Sequence, residues 1–397
     1  MNILTNEQFL KMKKNSNVLS EEYRPSWVID DSMSDYFDWG VLKTKTLDQH
    51  KTGYCWLITY LHCIDEFFRR QDRTFIKNDI SMSYLIFYDK IEKANWFFNR
   101  LVERIDTNIS DEDIQYLLSR ASGDQGQWTM AANLVNKYGI AYAEDMTDTF
   151  ATENTRYVNA CVNSFLRITA FSLKRIARDR FNIKNIVEKA MQTVYDVLIQ
   201  NYGDPTSVPN VQCCFRTDDY INIICEKKGR ISNCCKVELD GNVEEGNDNI
   251  LFKIPEDNFK TAVMKQVELE GFCWIGCDFD IFNCKIEGIV DDQYFQFPDW
   301  FDTKTYESMN RFDLFNYRMS KMKHSIMLCQ CRFVGKEKWW LAKNTLGERY
   351  GKNGYMFISD HWLDRYLFQA TVNKCYVEDV IDGVQEYCKI KPWELFK

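Results

Sequence analysis

The chain has 397 residues, 45% of them hydrophobic and 15% aromatic, enough for two or three structural units with substantial cores. A net charge of -8 and a pI near 5.3 argue against bulk electrostatic binding, so nucleic acid is not an expected partner. Fifteen cysteines in so large a chain, without a charged-then-apolar start at Met1–Glu7 or an apolar run long enough for a bilayer, point to a reducing cytoplasm with no membrane partner.

Residues 1–48 carry a helical pattern from Asn6 to Lys14, then Trp27, Tyr36, Phe37 and Trp39 among acidic residues, which reads as an arm packed over a surface. From Trp56 two apolar stripes recur at helical spacing: Leu57, Leu61, Ile64 and Phe68, and beside them Trp56, Tyr60, Cys63 and Phe67. Two adjacent stripes predict a helix buried over most of its girth, started at Thr52-Gly53. Cys55 falls in its first turn, where unpaired N–H groups and the helix dipole favour an anion and lower the pKa of a thiol. Six residues earlier stands Gln49. Its amide NH2 and the N–H of Cys55 suit a shared oxyanion, which acyl transfer to a thiol requires. On these residues alone, a plain core thiol is the stronger reading.

Residues 83–105 read as helical, and Ser110-Asp111-Glu112-Asp113 starts a further helix with a capped acidic turn. Gly123-Asp124-Gln125-Gly126-Gln127-Trp128 is a turn into a helix over 129–138, and Gly126 lets a peptide pair with the backbone. A continuous helical pattern follows from Tyr157 to Tyr202, with Lys174, Arg175, Arg178 and Arg180 as a solvated basic face. Residues 206–250 mix short β-like runs with turns and suggest no role. Ile254-Pro255-Glu256-Asp257 starts another helix, ending near Glu270-Gly271. Pairs such as Cys234-Cys235 and Cys273-x3-Cys277 include no Cys-x2-Cys, and the chain has four His, so neither metal nor organic cofactor is expected.

A thiol nucleophile needs an imidazole to hold its proton. His62 lies seven residues beyond Cys55 on the same helix, about 10 Å along the axis. His50 is confined to the loop beside Gln49, and His361 sits in a capped surface helix. His324 opens the strand-like run Ser325–Val334, a rigid place from which to present a base.

Gln49-x5-Cys55-Trp56 resembles the active-site segment of papain-like cysteine peptidases. Ser83-Tyr84-Leu85-x-Phe87-Tyr88-Asp89-Lys90-Ile91-Glu92-Lys93-Ala94-Asn95-Trp96, Gly126-Gln127-Trp128 and Asn133-Leu134-Val135-x-Lys137-Tyr138-Gly139 resemble the bleomycin hydrolase / aminopeptidase C family. The resemblance implies an α+β, papain-like fold: a helical lobe and a β-barrel-like lobe with helical insertions. It divides the chain into an arm and nucleophile helix (1–70), a hook insertion (71–120), a substrate loop and helix (121–150), a helical insertion (151–250), and a β lobe with C-terminal arm (251–397). It implies a cytoplasmic aminopeptidase acting on peptides through a thioester, and a homohexamer built by the hook; an ordinary helix pair over 71–120 is the alternative.

By the same resemblance Cys55 is the nucleophile, His324 the acid/base and Gln49 the oxyanion donor. Asn344, in Asn344-Thr345-Leu346-Gly347, orients the imidazole. Gln125, Gly126 and Trp128 bind substrate, and the arm ending at Lys397 limits how far it extends. Three departures fall near the chemistry: Tyr54 replaces Arg, Leu346 replaces Trp, and Lys323 replaces Thr beside His324, where a cation lowers the imidazole pKa. They motivate a rival, an impaired enzyme of the same fold that binds peptides or assembles; a nucleic-acid binder is the second.

Overall fold

Twelve of the fifteen residues of helix α1 (Cys55–Arg69) are buried, because its two apolar stripes face different neighbours. The computed structural model describes residues 44–73, 76–227, 233–280, 283–284, 288–292, 301–382 and 387–395. The arm up to residue 43, with its expected helix at Asn6–Lys14, lies outside them, as does Lys397.

Three helices follow α1. The Ser81 hydroxyl caps α2 (Met82–Glu103) by accepting from Tyr84 N at 3.2 Å. The Asp111 carboxylate caps α3 (Glu112–Arg120) by accepting from Asp113 N at 2.9 Å, and α4 (Trp128–Tyr138) ends at Gly139. On α2, Tyr84, Leu85, Phe87, Phe97 and Leu101 belong to the same core as α1, and Glu103 is the helix's one exposed residue.

The helix expected from Tyr157 to Tyr202 is two helices, α5 (Arg156–Arg175) and α6 (Arg180–Tyr202). Asp179 makes the break by capping α6, its carboxylate accepting from Asn182 N at 3.1 Å. The basic patch at this break is not a wholly solvated face. Lys174 Nζ donates to the carbonyls of Arg104, Ile105 and Thr107 at 3.0, 3.0 and 2.5 Å, satisfying carbonyls just beyond the C-terminal end of α2. Val158, Leu166, Leu173, Val194 and Leu198 join the core of α1 and α2, so these helices complete the helical lobe rather than form a separate insertion.

Besides short helices of six residues or fewer, the chain forms β1 (Tyr220–Glu226), β2 (Asn233–Val237), β3 (Ile250–Pro255), α7 (Glu256–Glu270), β4 (Cys273–Cys277), β5 (Asn283–Cys284), β6 (Ile289–Val290), β7 (His324–Val334), β8 (Glu337–Lys343), β9 (Tyr355–Ser359), α8 (Asp360–Tyr366), β10 (Leu367–Asn373) and β11 (Tyr387–Ile390). Among the described residues the strands form one sheet in the order β11-β2-β3-β1-β10-β4-β7-β8-β9-β6-β5. The segment 206–250, which suggested no role in the sequence, supplies β1 and β2. A boundary at 250 therefore cuts through this sheet edge: β1 pairs antiparallel with β10 and parallel with β3. Those partners are distant in the chain, so no local pattern marks them.

The lobes meet where α1 lies on β4 and β7. Trp274 Nε1 donates to Trp56 O at 3.1 Å, and Ser325 Oγ to Thr59 Oγ1 at 3.3 Å. No helix among the described residues is long and apolar enough to cross a membrane.

Candidate active site

Cys55 is the first residue of α1, preceded by Tyr54, which supplies no side-chain cap. Cys55 is 9% exposed, and the polar groups of Ser325 and the backbone N–H groups of Cys55 and Trp56 lie near enough to its thiol to favour the thiolate. Burial raises the thiol pKa, and these donors oppose the rise without cancelling it. The expectation of a lowered thiol pKa at the helix start is therefore overturned: desolvation outweighs the helix terminus.

Register fixes the imidazole at the start of β7. His324 is the first residue of that strand and pairs with Cys277 of β4, and Ser325, its neighbour, lies by the Cys55 thiol. Phe279 stacks on the His324 ring, with centroids 5.2 Å apart and planes 13° from parallel. Lys323 does not bring an uncompensated cation to this end of the strand. Its ammonium pairs with Asp278 at 3.0 Å and Asp280 at 3.6 Å.

Asn344 is fully buried, but its side-chain amide serves the turn that follows β8. Nδ2 donates to the carbonyls of Gly354 at 2.7 Å and Tyr350 at 3.3 Å, and Oδ1 accepts from Leu346 N at 2.5 Å. The Thr345 hydroxyl lies 3.4 Å from His324 Nε2. Thr345 also donates from Oγ1 to Gln49 Oε1 at 2.6 Å, and its carbonyl accepts from Gln49 N at 2.8 Å. Gln49 Nε2 donates to Thr52 O at 3.0 Å, which uses one of its two amide hydrogens. The structure thus joins Gln49 and His324 through Thr345 and sets Asn344 behind them.

The loop 121–128 is locked to the cysteine loop by buried charge. Asp124 Oδ2 accepts from Gly53 N at 3.1 Å and Thr155 Oγ1 at 2.5 Å; Oδ1 accepts from Lys90 Nζ at 2.6 Å and Asn159 Nδ2 at 2.8 Å. Trp56 Nε1 donates to Asp124 O at 2.6 Å. Burial alone would raise the Asp124 pKa, but the Lys90 ammonium and the hydroxyl and amide donors hold it well below the carboxylate range. Beside it Asp89 accepts from Lys93 Nζ at 2.7 Å and the Tyr54 hydroxyl at 2.9 Å. Lys93 also donates to the carbonyls of Gly123 and Gln125 at 2.9 and 2.8 Å.

Of the expected substrate residues, Gly126 sits against the indole of Trp56, into which an added Cβ would run. Gln125, Gly126 and Gln127 line a pocket of about 90 Å³ with Tyr116, Leu239 and Asp240. Trp128 is not at its wall. It is buried against Tyr60, ring centroids 4.7 Å apart, and packs the core. Tyr116 carries Trp393 of the C-terminal segment, centroids 5.4 Å apart, while Lys391 Nζ reaches Asp113 at 2.7 Å and Glu238 at 3.0 Å.

The family model described as "Peptidase C1-like family" matches residues 7–220 and 209–396. The chain belongs to this family. An aminopeptidase C from Listeria innocua is 27% identical over 380 residues, spanning 88% of this chain and 85% of that one. An aminopeptidase W from Lactobacillus delbrueckii is 21% identical, spanning 98% and 94%. The solved structure of pepw from Lactobacillus rhamnosis superposes with a TM-score of 0.80 at 21% identity, over 99% of this chain and 98% of that one, so the papain-like fold holds across the whole length.

Within the C1-like fold, sequence reasoning missed Thr345 and the pairs Lys90–Asp124 and Lys93–Asp89. A signal was present: Asp89, Lys90 and Lys93 interrupt an apolar helix where solvent-facing charges have no place. Tyr54, where the family pattern has Arg, supplies a neutral hydroxyl to Asp89 rather than a third cation. Among the described residues no group of three or more His, Cys, Asp or Glu side chains is arranged to hold a metal ion.

Proposed function

We propose that the chain is a cysteine-type aminopeptidase in which Cys55 Sγ attacks a peptide carbonyl. His324 takes the thiol proton and gives it to the leaving amine. The oxyanion lies between Cys55 N–H, which has no partner within the helix, and the second hydrogen of Gln49 Nε2. Water then cleaves the thioester, with His324 as base. The observation carrying this reading is the convergence of the start of α1, the start of β7 and the turn after β8: Ser325, beside His324, lies by the Cys55 thiol, and Thr345 lies between Gln49 and His324. The raised thiol pKa gives the base a definite task, since a resting thiol must be deprotonated as it attacks.

The pocket beside Gly126 receives the substrate backbone, and Trp393 of the C-terminal segment packs on Tyr116, one of its walls. This supports release of residues from a free amino end. The relatives' names, aminopeptidase C and W, agree with that substrate class. Free and N-acetylated copies of one peptide, digested by wild type and Cys55→Ala and read by mass spectrometry, test it. Removal of amino-terminal residues from the free peptide by wild type alone supports the assignment; equal turnover by Cys55→Ala overturns it.

A cytoplasmic homohexamer belongs to the same reading. Among the apolar side chains exposed to a partner are Tyr157, Ile168, Phe171 and Phe181 on α5 and α6, whereas α2 exposes none. Light scattering at micromolar protein distinguishes a hexamer of the 47.2 kDa chain from a monomer.

A further inference from the structure

We propose that Cys235 and Cys388 are a redox-controlled pair whose disulfide fastens the C-terminal strand to the sheet. Strand β11 is the end of the sheet order and its strand partner is β2, in parallel pairing. The register sets Cys388 directly opposite Cys235, and their sulfurs are 2.9 Å apart as two free thiols. Neighbouring strands are about 4.8 Å apart, inside the Cα range that a disulfide spans, so the bond forms without moving the backbone far. Side chains alternate along a strand, so Cys234, next to Cys235, points to the other face of the sheet.

The two thiols are unequal in a way that orders the chemistry. Cys388 is exposed, whereas Cys235 is buried and its thiol is pushed up to about 12, by burial and then by Cys388 itself. Cys388 therefore meets an oxidant first. With a low-molecular-weight disulfide such as glutathione disulfide, the Cys388 thiolate attacks one sulfur and keeps that half as a mixed disulfide. The expelled thiolate takes up a proton. Cys235, giving its proton to solvent, then attacks the Cys388 sulfur and expels the second small thiol. Two protein thiols are oxidised, and one small disulfide is reduced to two thiols.

Three residues beyond β11 tie the segment to the rest of the fold. Lys391 reaches Asp113 and Glu238, Trp393 packs on Tyr116, and Leu395 joins Ile224, Val237 and Leu251 in a small apolar cluster. Fastening Cys388 fixes the start of this segment, and Tyr116 is a wall of the pocket beside Gly126. A consequence for cleavage rests on the function proposed above; the cross-link does not.

The test uses the full chain carrying Cys55→Ala, so that the nucleophile does not compete for oxidant. After equilibration in glutathione disulfide, free thiols are blocked and the digest is mapped by mass spectrometry. A Cys235–Cys388 cross-linked peptide is expected, reversed by dithiothreitol and absent from Cys55→Ala/Cys388→Ser. Amide hydrogen exchange across Tyr387–Leu395 is expected to slow at least tenfold on oxidation. Recovery of Cys388 as a stable mixed disulfide with Cys235 blocked as a free thiol would overturn the pairing. A cross-link that leaves the exchange unchanged would overturn the fastening. Neither readout needs peptide hydrolysis, so the result is independent of the proposed activity.

Discussion

The hydroxyl of Thr345 faces Nε2 of His324 at 3.4 Å while donating to Gln49 at 2.6 Å, so one side chain touches both the base and the oxyanion donor. Asn344, one residue earlier, bonds to Gly354, Tyr350 and Leu346. Thr345→Val keeps the shape and removes the hydroxyl. It is expected to lower kcat/KM about tenfold, the scale of one neutral hydrogen bond at a reacting group, and to shift the pH–rate profile. Asn344→Ala leaves the Leu346 N–H without its acceptor, while the Gly354 and Tyr350 carbonyls keep the N–H groups of Asn344 and Gly354, and it is expected to cost about 1–3 kcal/mol of stability. Urea unfolding beside pH–rate profiles separates the two; an altered profile only in Asn344→Ala would return the orienting role to the amide.

Burial raises the Cys55 thiol, so without its base the side chain stays protonated at neutral pH. Alkylation of Cys55 by iodoacetamide in His324→Ala is expected to be slow at pH 7 and to rise only as the pH climbs past the ordinary thiol range near 9. Wild type reacts quickly at neutral pH. Equal rates at pH 7 would show that His324 does not serve the thiol.

Asp124 tests the lock between the two loops. Its carboxyl titrates below the ordinary range when folded, so its stabilisation is complete above the unfolded value near 4 and is lost as the pH falls through the folded value. Asp124→Asn strands the buried Lys90 ammonium, and a loss of about 3–5 kcal/mol at pH 7 is expected. The variant should also lose less stability than wild type between pH 5 and 3. Denaturant unfolding at the three pH values checks both statements.

Much of this arrangement was legible in the sequence, and the reasons differ by element. The two stripes on α1 and the strand opened by His324 follow from periodicity, because burial on one face fixes which positions are apolar. The break between α5 and α6 was missed because Arg178 and Asp179 do not interrupt the apolar pattern, although Asp179 caps the second helix. The β-like runs at Tyr220–Cys225 and Cys235–Leu239 were legible and meet β1 and β2, but their places in the sheet were not, because their partners, β10, β3 and β11, are read from pairing and not from local pattern. Motif spacing located Asn344, but the direction of its side chain depends on Gly354 and Tyr350 across the turn. The thiol pKa was misjudged because desolvation is set by the packed lobe interface, which a helix-start argument omits.

Gly126 tests the pocket floor. Gly126→Ala drives a methyl into the Trp56 indole, and overpacking of this kind costs about 1–3 kcal/mol. Peptide KM is expected to rise together with the fall in melting temperature, while labelling of Cys55 persists. Unchanged KM in a stable variant would remove Gly126 from the substrate wall.

The central claim is that one thiol among fifteen cysteines carries the chemistry. The most direct measurement is peptide mapping after brief reaction with an aminoacyl chloromethyl ketone, which needs both an activated thiol and a substrate-like fit. The account predicts a single adduct on Cys55, greatly reduced in His324→Ala and Gln49→Ala. Adducts spread over exposed thiols such as Cys161, Cys214 and Cys375, with Cys55 unmodified, would contradict it.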